Sequence, residues 1–216
     1  EVGGGMGRLT SQGVAWYRKK IDISKSDQGK IIYLDIDGAM SYAMVWLNGH
    51  LVGGWPYGYN SFRLDLTPYL HLGGINQLAI RLDNPNHSAR WYPGGGIYRN
   101  VWLTKTAPVH VAQWGTFITT PEISSKEATI HLSLKLENKT TSTQLVEAKT
   151  QIFAADDFGK AKGKAITNFL SENISLNANE KQTIESKTLL KNPKLWGSYP
   201  QQKQNLYVAK TQIFIA

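Results

Sequence analysis

Residues 130–137 read Ile-His-Leu-Ser-Leu-Lys-Leu-Glu, so that Ile130, Leu132, Leu134 and Leu136 alternate strictly with His131, Ser133, Lys135 and Glu137. A period of two sends successive side chains to opposite faces, and the octet therefore predicts a β-strand with one apolar and one wet face. Residues 32–37 (Ile-Tyr-Leu-Asp-Ile-Asp) and 78–83 (Leu-Ala-Ile-Arg-Leu-Asp) repeat the pattern. Between Val45-Trp46-Leu47 and Leu51-Val52 stands Asn48-Gly49, the dipeptide best suited to a two-residue hairpin whose central positions both need positive φ. No stretch longer than a couple of turns carries helical spacing. The expected fold class is all-β.

A boundary is expected near Thr106-Ala107-Pro108, where an aromatic, glycine-rich half gives way to a Thr, Lys and Asn-rich half. Residues 1–107 have the longer strands and larger loops of a jelly roll. Residues 108–216 carry turn signals at 138–143, 156–164, 177–179 and 192–193, a spacing suited to a small antiparallel sandwich. The 216 residues suffice for two ordinary domains that bury their cores without disulfides.

The net charge of +8 raises the question of nucleic acid. Residues 1–107 hold eleven Lys plus Arg against seven Asp plus Glu, and residues 108–216 hold thirteen against nine, so each half carries an excess of four. Phosphate neutralisation needs clustered cations, and this spread argues against a nucleic-acid partner. The short runs Arg18-Lys19-Lys20 and Lys160 to Lys164 read as solvated surface, the second as a turn. No apolar run approaches the ~20 residues of a membrane helix, and the start at Glu1 has no signal-peptide core. The absence of cysteine is compatible with any compartment, with the bacterial periplasm or exterior favoured over the cytoplasm.

Catalytic constellations are scarce. The five histidines (His50, His71, His87, His110, His131) show no metal spacing, and Gly94-Gly95-Gly96 lacks the lysine and helix of a phosphate loop. No nucleophile elbow surrounds any serine. No metal site and no cofactor are expected. The acids fall on strand faces, as Asp35 and Asp37 do, or in turns, as Asp156-Asp157 and Asn179-Glu180 do. Asn86, Asn138 and Asn173 open glycosylation triplets that chance alone supplies often. Trp16, Trp46, Trp102 and Trp114 lie within strand patterns and are expected in the core. Trp55-Pro56-Tyr57-Gly58-Tyr59 and Arg90-Trp91-Tyr92 instead place amphipathic rings on turn-rich loops. Such rings pack against neighbours or stack on the C–H faces of sugars.

The run from Arg90 to Val101, Arg-Trp-Tyr-Pro-Gly-Gly-Gly-Ile-Tyr-Arg-Asn-Val, resembles the Trp-Tyr-x-Gly-x-Gly-Ile-Tyr-Arg-x-Val loop that ends the first domain of glycoside hydrolase family 2, the β-galactosidase, β-glucuronidase and β-mannosidase family. Further segments follow in the family's order. Gly13 to Lys20 resembles its opening strand, Val45 to Gly53 its Val-x-Leu-Asn-Gly-x-x-Val-Gly hairpin, and Phe62 to Thr67 its Phe-x-x-Asp-Leu-Thr strand end. Asn192 to Trp196, with Pro200 and Leu206-Tyr207, resembles the lead-in to the last strand of its second domain.

The resemblance implies a sugar-binding-type jelly roll over residues 1–107 and an immunoglobulin-like sandwich over residues 108–216. It further implies a parent protein that hydrolyses terminal β-glycosides with retention, β-galactosidase-like, through two glutamates on a C-terminal (β/α)₈ barrel that these residues do not include. This chain by itself is then inactive, its carbohydrate partner is a β-glycoside, and Arg90, Trp91 and Tyr92 edge the substrate pocket. In the galactosidase branch an aspartate stands just ahead of this tryptophan. Here Ala89 occupies that neighbourhood, and Arg90 is the residue placed to take over the edge. A homo-oligomer stays open. The alternative, of another class, is a free-standing carbohydrate-binding or adhesive β-sandwich protein.

Overall fold

The computed structural model describes residues 13–85 and 95–215. Among them the only helices are two single 3₁₀ turns, Lys25–Asp27 and Thr67–Tyr69, and none is long and apolar enough to cross a membrane. The chain divides after Ala107 into two compact units.

The first unit is built from β1 (Gly13–Ile23), β2 (Ile31–Ile36), β3 (Ala39–Met40), β4 (Ala43–Leu47), β5 (His50–Trp55), β6 (Phe62–Asp65), β7 (Gly74–Asn84), β8 (Gly96–Ile97) and β9 (Val101–Thr106). One antiparallel sheet runs β1-β7-β4-β5, a second runs β6-β2-β9, and β3 pairs with β8. Leu34 and Ile36 of β2 meet Val45 and Leu47 of β4 and Leu78, Ile80 and Leu82 of β7 in one buried cluster. Each such side chain contributes about 1.5–3 kcal/mol by leaving water.

The family-type motifs serve this architecture. Asn48, at φ +52, makes the expected turn between β4 and β5. Its side chain donates to Tyr69 O and Asn76 Oδ1, both at 2.8 Å, and accepts from Gln77 N at 2.9 Å. The hairpin tip is thereby tied to β7. Asp65 Oδ1 caps Thr67 N at 2.9 Å, and Thr67 Oγ1 accepts from Ile32 N at 2.9 Å, which fixes the chain's exit from β6.

The second unit holds β10 (Val109–Ile123), β11 (Glu127–Asn138), β12 (Gln144–Ala155), β13 (Ala161–Asn168), β14 (Glu172–Leu176), β15 (Lys181–Lys191) and β16 (Tyr207–Ile215). One sheet runs β10-β11-β15. In the other, β12 carries β13 and β14 along one edge and β16 along the opposite edge. Ile130, Leu132, Leu134 and Leu136 of β11 face Val146 and Ile152 of β12 and Leu176 of β14 in a second, separate core. The fold is all-β, a jelly-roll sandwich followed by an immunoglobulin-like sandwich.

Three expectations are corrected. The alternating charged faces are not uniformly wet: Asp35 is 8% exposed and Glu137 6%. Arg63, across on β6, grips Asp35 through Nε at 2.6 Å and Nη2 at 2.9 Å and lays its guanidinium 4.6 Å from the centre of the Tyr33 ring, closing that face over itself. Glu137 is enclosed by Lys139, Lys181 and His110 at 3.2, 3.4 and 3.8 Å.

The strand tryptophans are not core. Trp16 is 45% exposed, Trp102 54% and Trp114 77%, and Trp46 is half-buried. Trp16 and Trp46 sit together on the outer face of their sheet, ring centres 5.2 Å apart. Trp102 opposes Asp35 in register, on the side away from the core, and donates Nε1–H to Asp37 Oδ2 at 2.9 Å. Trp114, at φ +51, rides an irregularity in β10 that turns it outward. The basic run 160–164 lies mostly in β13, which begins at Ala161, rather than in a turn.

Candidate functional site

The sequence nominates Arg90, Trp91 and Tyr92, which lie outside the described residues, as does Ala89. What is described is the frame into which their loop returns. Gly96-Ile97 pairs with Ala39-Met40, and Ile97 N donates to Tyr17 Oη at 3.4 Å. Tyr98 donates its hydroxyl to Gly58 O at 3.0 Å, which joins the end of the glycine loop to the Trp55 to Tyr59 segment. A Cβ at Gly58 would meet Met40 Sδ at 2.4 Å and Met40 Cα at 3.0 Å, so a larger residue here requires Met40 to shift.

Rings gather on this frame. Tyr57, Tyr59 and Tyr98 are all about half exposed, and they meet edge to face, with centres 5.5 and 6.4 Å apart. Beneath them Asp37 is held by three contacts: its N–H donates to Asn100 O, its carbonyl accepts from Ser61 Oγ at 3.0 Å, and its carboxylate accepts from Trp102. The result is a rigid aromatic rim with polar edges, chemistry suited to contact with sugar rings and not to bond cleavage.

Several described carboxylates are engaged elsewhere. Asp35 belongs to Arg63 and Thr104, Asp65 to the Thr67 cap, and Asp156 accepts from Phe158 N and Lys160 N within its turn. Glu180 accepts from Asn177 N at 2.7 Å beside Asn179 at φ +56. Asn179-Glu180 is therefore the turn between β14 and β15. Two acids have resolved shifts and both are downward. Hydrogen bonds from Lys105 and then Lys30 hold Asp27 below its ordinary value of 3.8. Ser171 and then Lys149 hold Glu147 below 4.5. Neither is poised to deliver a proton, since a general acid needs the opposite shift. Among the described residues no group of three His, Cys, Asp or Glu is placed to hold a metal.

A second gathering was not legible in the sequence. Tyr42, Leu51, Trp55 and Pro56 border an open cleft of about 530 Å³ whose polar groups are Arg81 and Asp83 of β7. Among these, Trp55 and Pro56 stood out, as parts of an aromatic loop. The available signal was Gly53-Gly54 on an edge strand beside a charged pair two residues apart.

Comparison with known proteins follows the same lines. A family model described as glycosyl hydrolase 2 galactose-binding domain-like matches residues 8–92, and one described as glycosyl hydrolases family 2 matches residues 109–215. A β-galactosidase of Bacteroides ovatus, BoGH2A, is 38% identical over 185 residues, covering 85% of this chain and 21% of its own. A β-glucuronidase of Formosa agariphila is 28% identical over 207 residues, covering 86% of this chain and 20% of its own. The crystal structure of a glycosyl hydrolase family 2 member from Bacteroides cellulosilyticus superimposes with a TM-score of 0.83 at 32% identity, over 94% of this chain and 25% of that one. The chain spans about a fifth of the length of the curated relatives it matches.

Proposed function

The chain belongs to glycoside hydrolase family 2, and from that premise we propose that it forms the two non-catalytic leading domains of a retaining, β-galactosidase-like glycoside hydrolase. Residues 1–107 are its sugar-binding-type domain and residues 108–216 its immunoglobulin-like domain. The glycine loop, through Arg90, Trp91 and Tyr92, edges the pocket of a catalytic barrel supplied by the rest of the parent, and a terminal β-glycoside is the substrate.

One observation carries this reading: the two family models fall in succession, over 8–92 and 109–215. Retaining hydrolysis needs two carboxyl groups about 5–5.5 Å apart, one as nucleophile and one as acid/base, on rigid elements. Those groups belong to the parent's barrel. The rim described above contributes ring surface and hydrogen-bonding edges, which position a sugar without touching the reacting bond.

The test is expression of the complete gene product beside the 216-residue chain, with NMR detection of the sugar anomer first released from p-nitrophenyl β-galactoside. The reading expects retention by the complete product and no turnover by this chain. A reading frame that closes at Ala216 would instead leave a free-standing carbohydrate-binding or adhesive protein. Turnover by the purified chain that Glu180→Gln abolishes would place chemistry where the present account puts a turn.

A further inference from the structure

The cleft on β4, β5 and β7 lies along the edge strand β5, where Gly54 has no side chain to fill it. A Cβ at Gly54 would stand 2.0 Å from Ala43 O, so the close approach of β5 to β4 admits only glycine there, whereas one at Gly53 would meet Leu64 of β6. Arg81 and Met44 are register partners, which places the guanidinium beside the gap. Arg81 Nη2 donates to Asp83 Oδ2 at 2.9 Å, and both side chains keep about a third of their surface exposed. The Asp83 backbone is clamped, since its N–H donates to Ser41 O at 2.8 Å and its carbonyl accepts from Ser41 Oγ at 2.6 Å.

Tyr42, which also lines the cleft, adopts φ +46, a left-handed conformation that a tyrosine rarely takes, and its N–H donates to Pro56 O at 2.9 Å. Its ring is about half exposed, as is that of Trp55, which lines the same cleft. Rings at the rim, a carboxylate on a clamped backbone and the guanidinium beside it form a specific combination. Ring faces suit the C–H face of a pyranose. A carboxylate that accepts beside a guanidinium that donates suits two adjacent hydroxyls, which do both. The pair cancels in charge, so the site favours a neutral sugar, and its volume falls within the range of built ligand pockets.

We propose that this cleft is a carbohydrate site that binds a ring of a neutral oligosaccharide with Trp55 beneath it and Arg81 and Asp83 on adjacent hydroxyls. Its role is retention of a glycan chain on the protein's surface. The proposal stands on the cleft's own chemistry and requires no catalysis, so its failure leaves the family assignment untouched.

The test is titration of the ¹⁵N-labelled 216-residue chain with lactose, cellobiose and β-1,4-mannobiose, which differ in hydroxyl configuration, and with methyl β-glucuronide as an anionic control. Saturable shifts at millimolar sugar are expected for the amides of Tyr42, Leu51, Gly53, Gly54, Trp55, Arg81 and Asp83 and for the Trp55 indole, with at least one neutral disaccharide. Trp55→Ala and Arg81→Gln should each weaken binding by about tenfold, and Trp55→Phe, which keeps a ring, by no more than about threefold. Amide spectra of the free variants report that they fold. Absence of saturation with all three disaccharides, shifts confined to another surface, binding of the glucuronide alone, or unchanged affinity in folded Trp55→Ala and Arg81→Gln would each overturn the proposal.

Discussion

Replacing Arg63 by methionine should cost the first unit about 3 kcal/mol of stability. Methionine keeps much of the stem that packs over Tyr33 but removes both charge-assisted bonds to Asp35, at 2.6 and 2.9 Å. Thr104 Oγ1, 2.6 Å from Asp35 Oδ2, stays in place. Bonds to charged groups are worth about 1.5–3 kcal/mol each, and stranding one partner of a buried pair costs about 3–5 kcal/mol. Side-chain exposures of 17% and 12% let water relieve part of the penalty, so the lower end of that range applies. For a unit near 100 residues, each kcal/mol moves Tm by about 4–8 °C, which puts the first unit's transition roughly 12–24 °C lower. The transition of the second unit should not move.

Calorimetry on Arg63→Met, Asp35→Asn and the double variant completes a cycle, in which removing both charges should recover about 2 kcal/mol of the summed losses. A loss below about 1 kcal/mol with no coupling would put the pair among ordinary surface ion pairs. The claim that Arg63 seals this face would then be wrong.

Asn138 is fully buried, and its side chain donates to Ser142, Leu176 and Asn177 carbonyls and accepts from Thr140 N, so Asn138→Ala should destabilise the second unit by about 2–4 kcal/mol in urea unfolding. The same burial predicts no glycan at this triplet in the folded chain, checked by intact mass after expression in a glycosylating host. Because Lys105 and Lys30 depress the Asp27 pKa, its contribution is present above the unfolded value near 3.8 and is lost as pH falls through the folded value. The first unit's urea midpoint should therefore drop more steeply below pH ~4 than that of Asp27→Asn, and parallel curves would contradict this. Cutting between Ala107 and Pro108 should leave at least one half with dispersed amide spectra, since each half owns a core. Collapse of both halves would refute two autonomous units.

The sequence exposed whatever depends on local geometry. Asn48-Gly49 was readable because a two-residue turn demands positive φ, and residues 130–137 because a strand has period two. Alternation does not say which face is dry. Apolarity alone places Trp16, Trp102 and Trp114 inward, whereas parity and an irregularity in β10 turn them out. Asp35 and Glu137 were assigned outward on charge, but their burial depends on partners from other strands, Arg63 being 28 residues away. The cleft was hidden for the same reason, since a missing side chain on β5 matters only when β4 and β7 lie beside it. The loop of residues 90–92 was legible only through family resemblance, because three glycines among aromatic residues specify a turn and no ligand.

The central claim is that these domains edge a sugar pocket without performing its chemistry, and Trp91→Ala in the complete enzyme tests it most directly, with kcat/KM and Tm measured on one preparation. A ring at a pocket edge contributes about 0.5–1.5 kcal/mol beyond burial, so efficiency should fall roughly threefold to tenfold or somewhat more while Tm holds. A core tryptophan would behave otherwise, costing about 3–5 kcal/mol of stability on truncation. A large fall in Tm with normal efficiency in the surviving folded enzyme would contradict the account and assign Trp91 to packing.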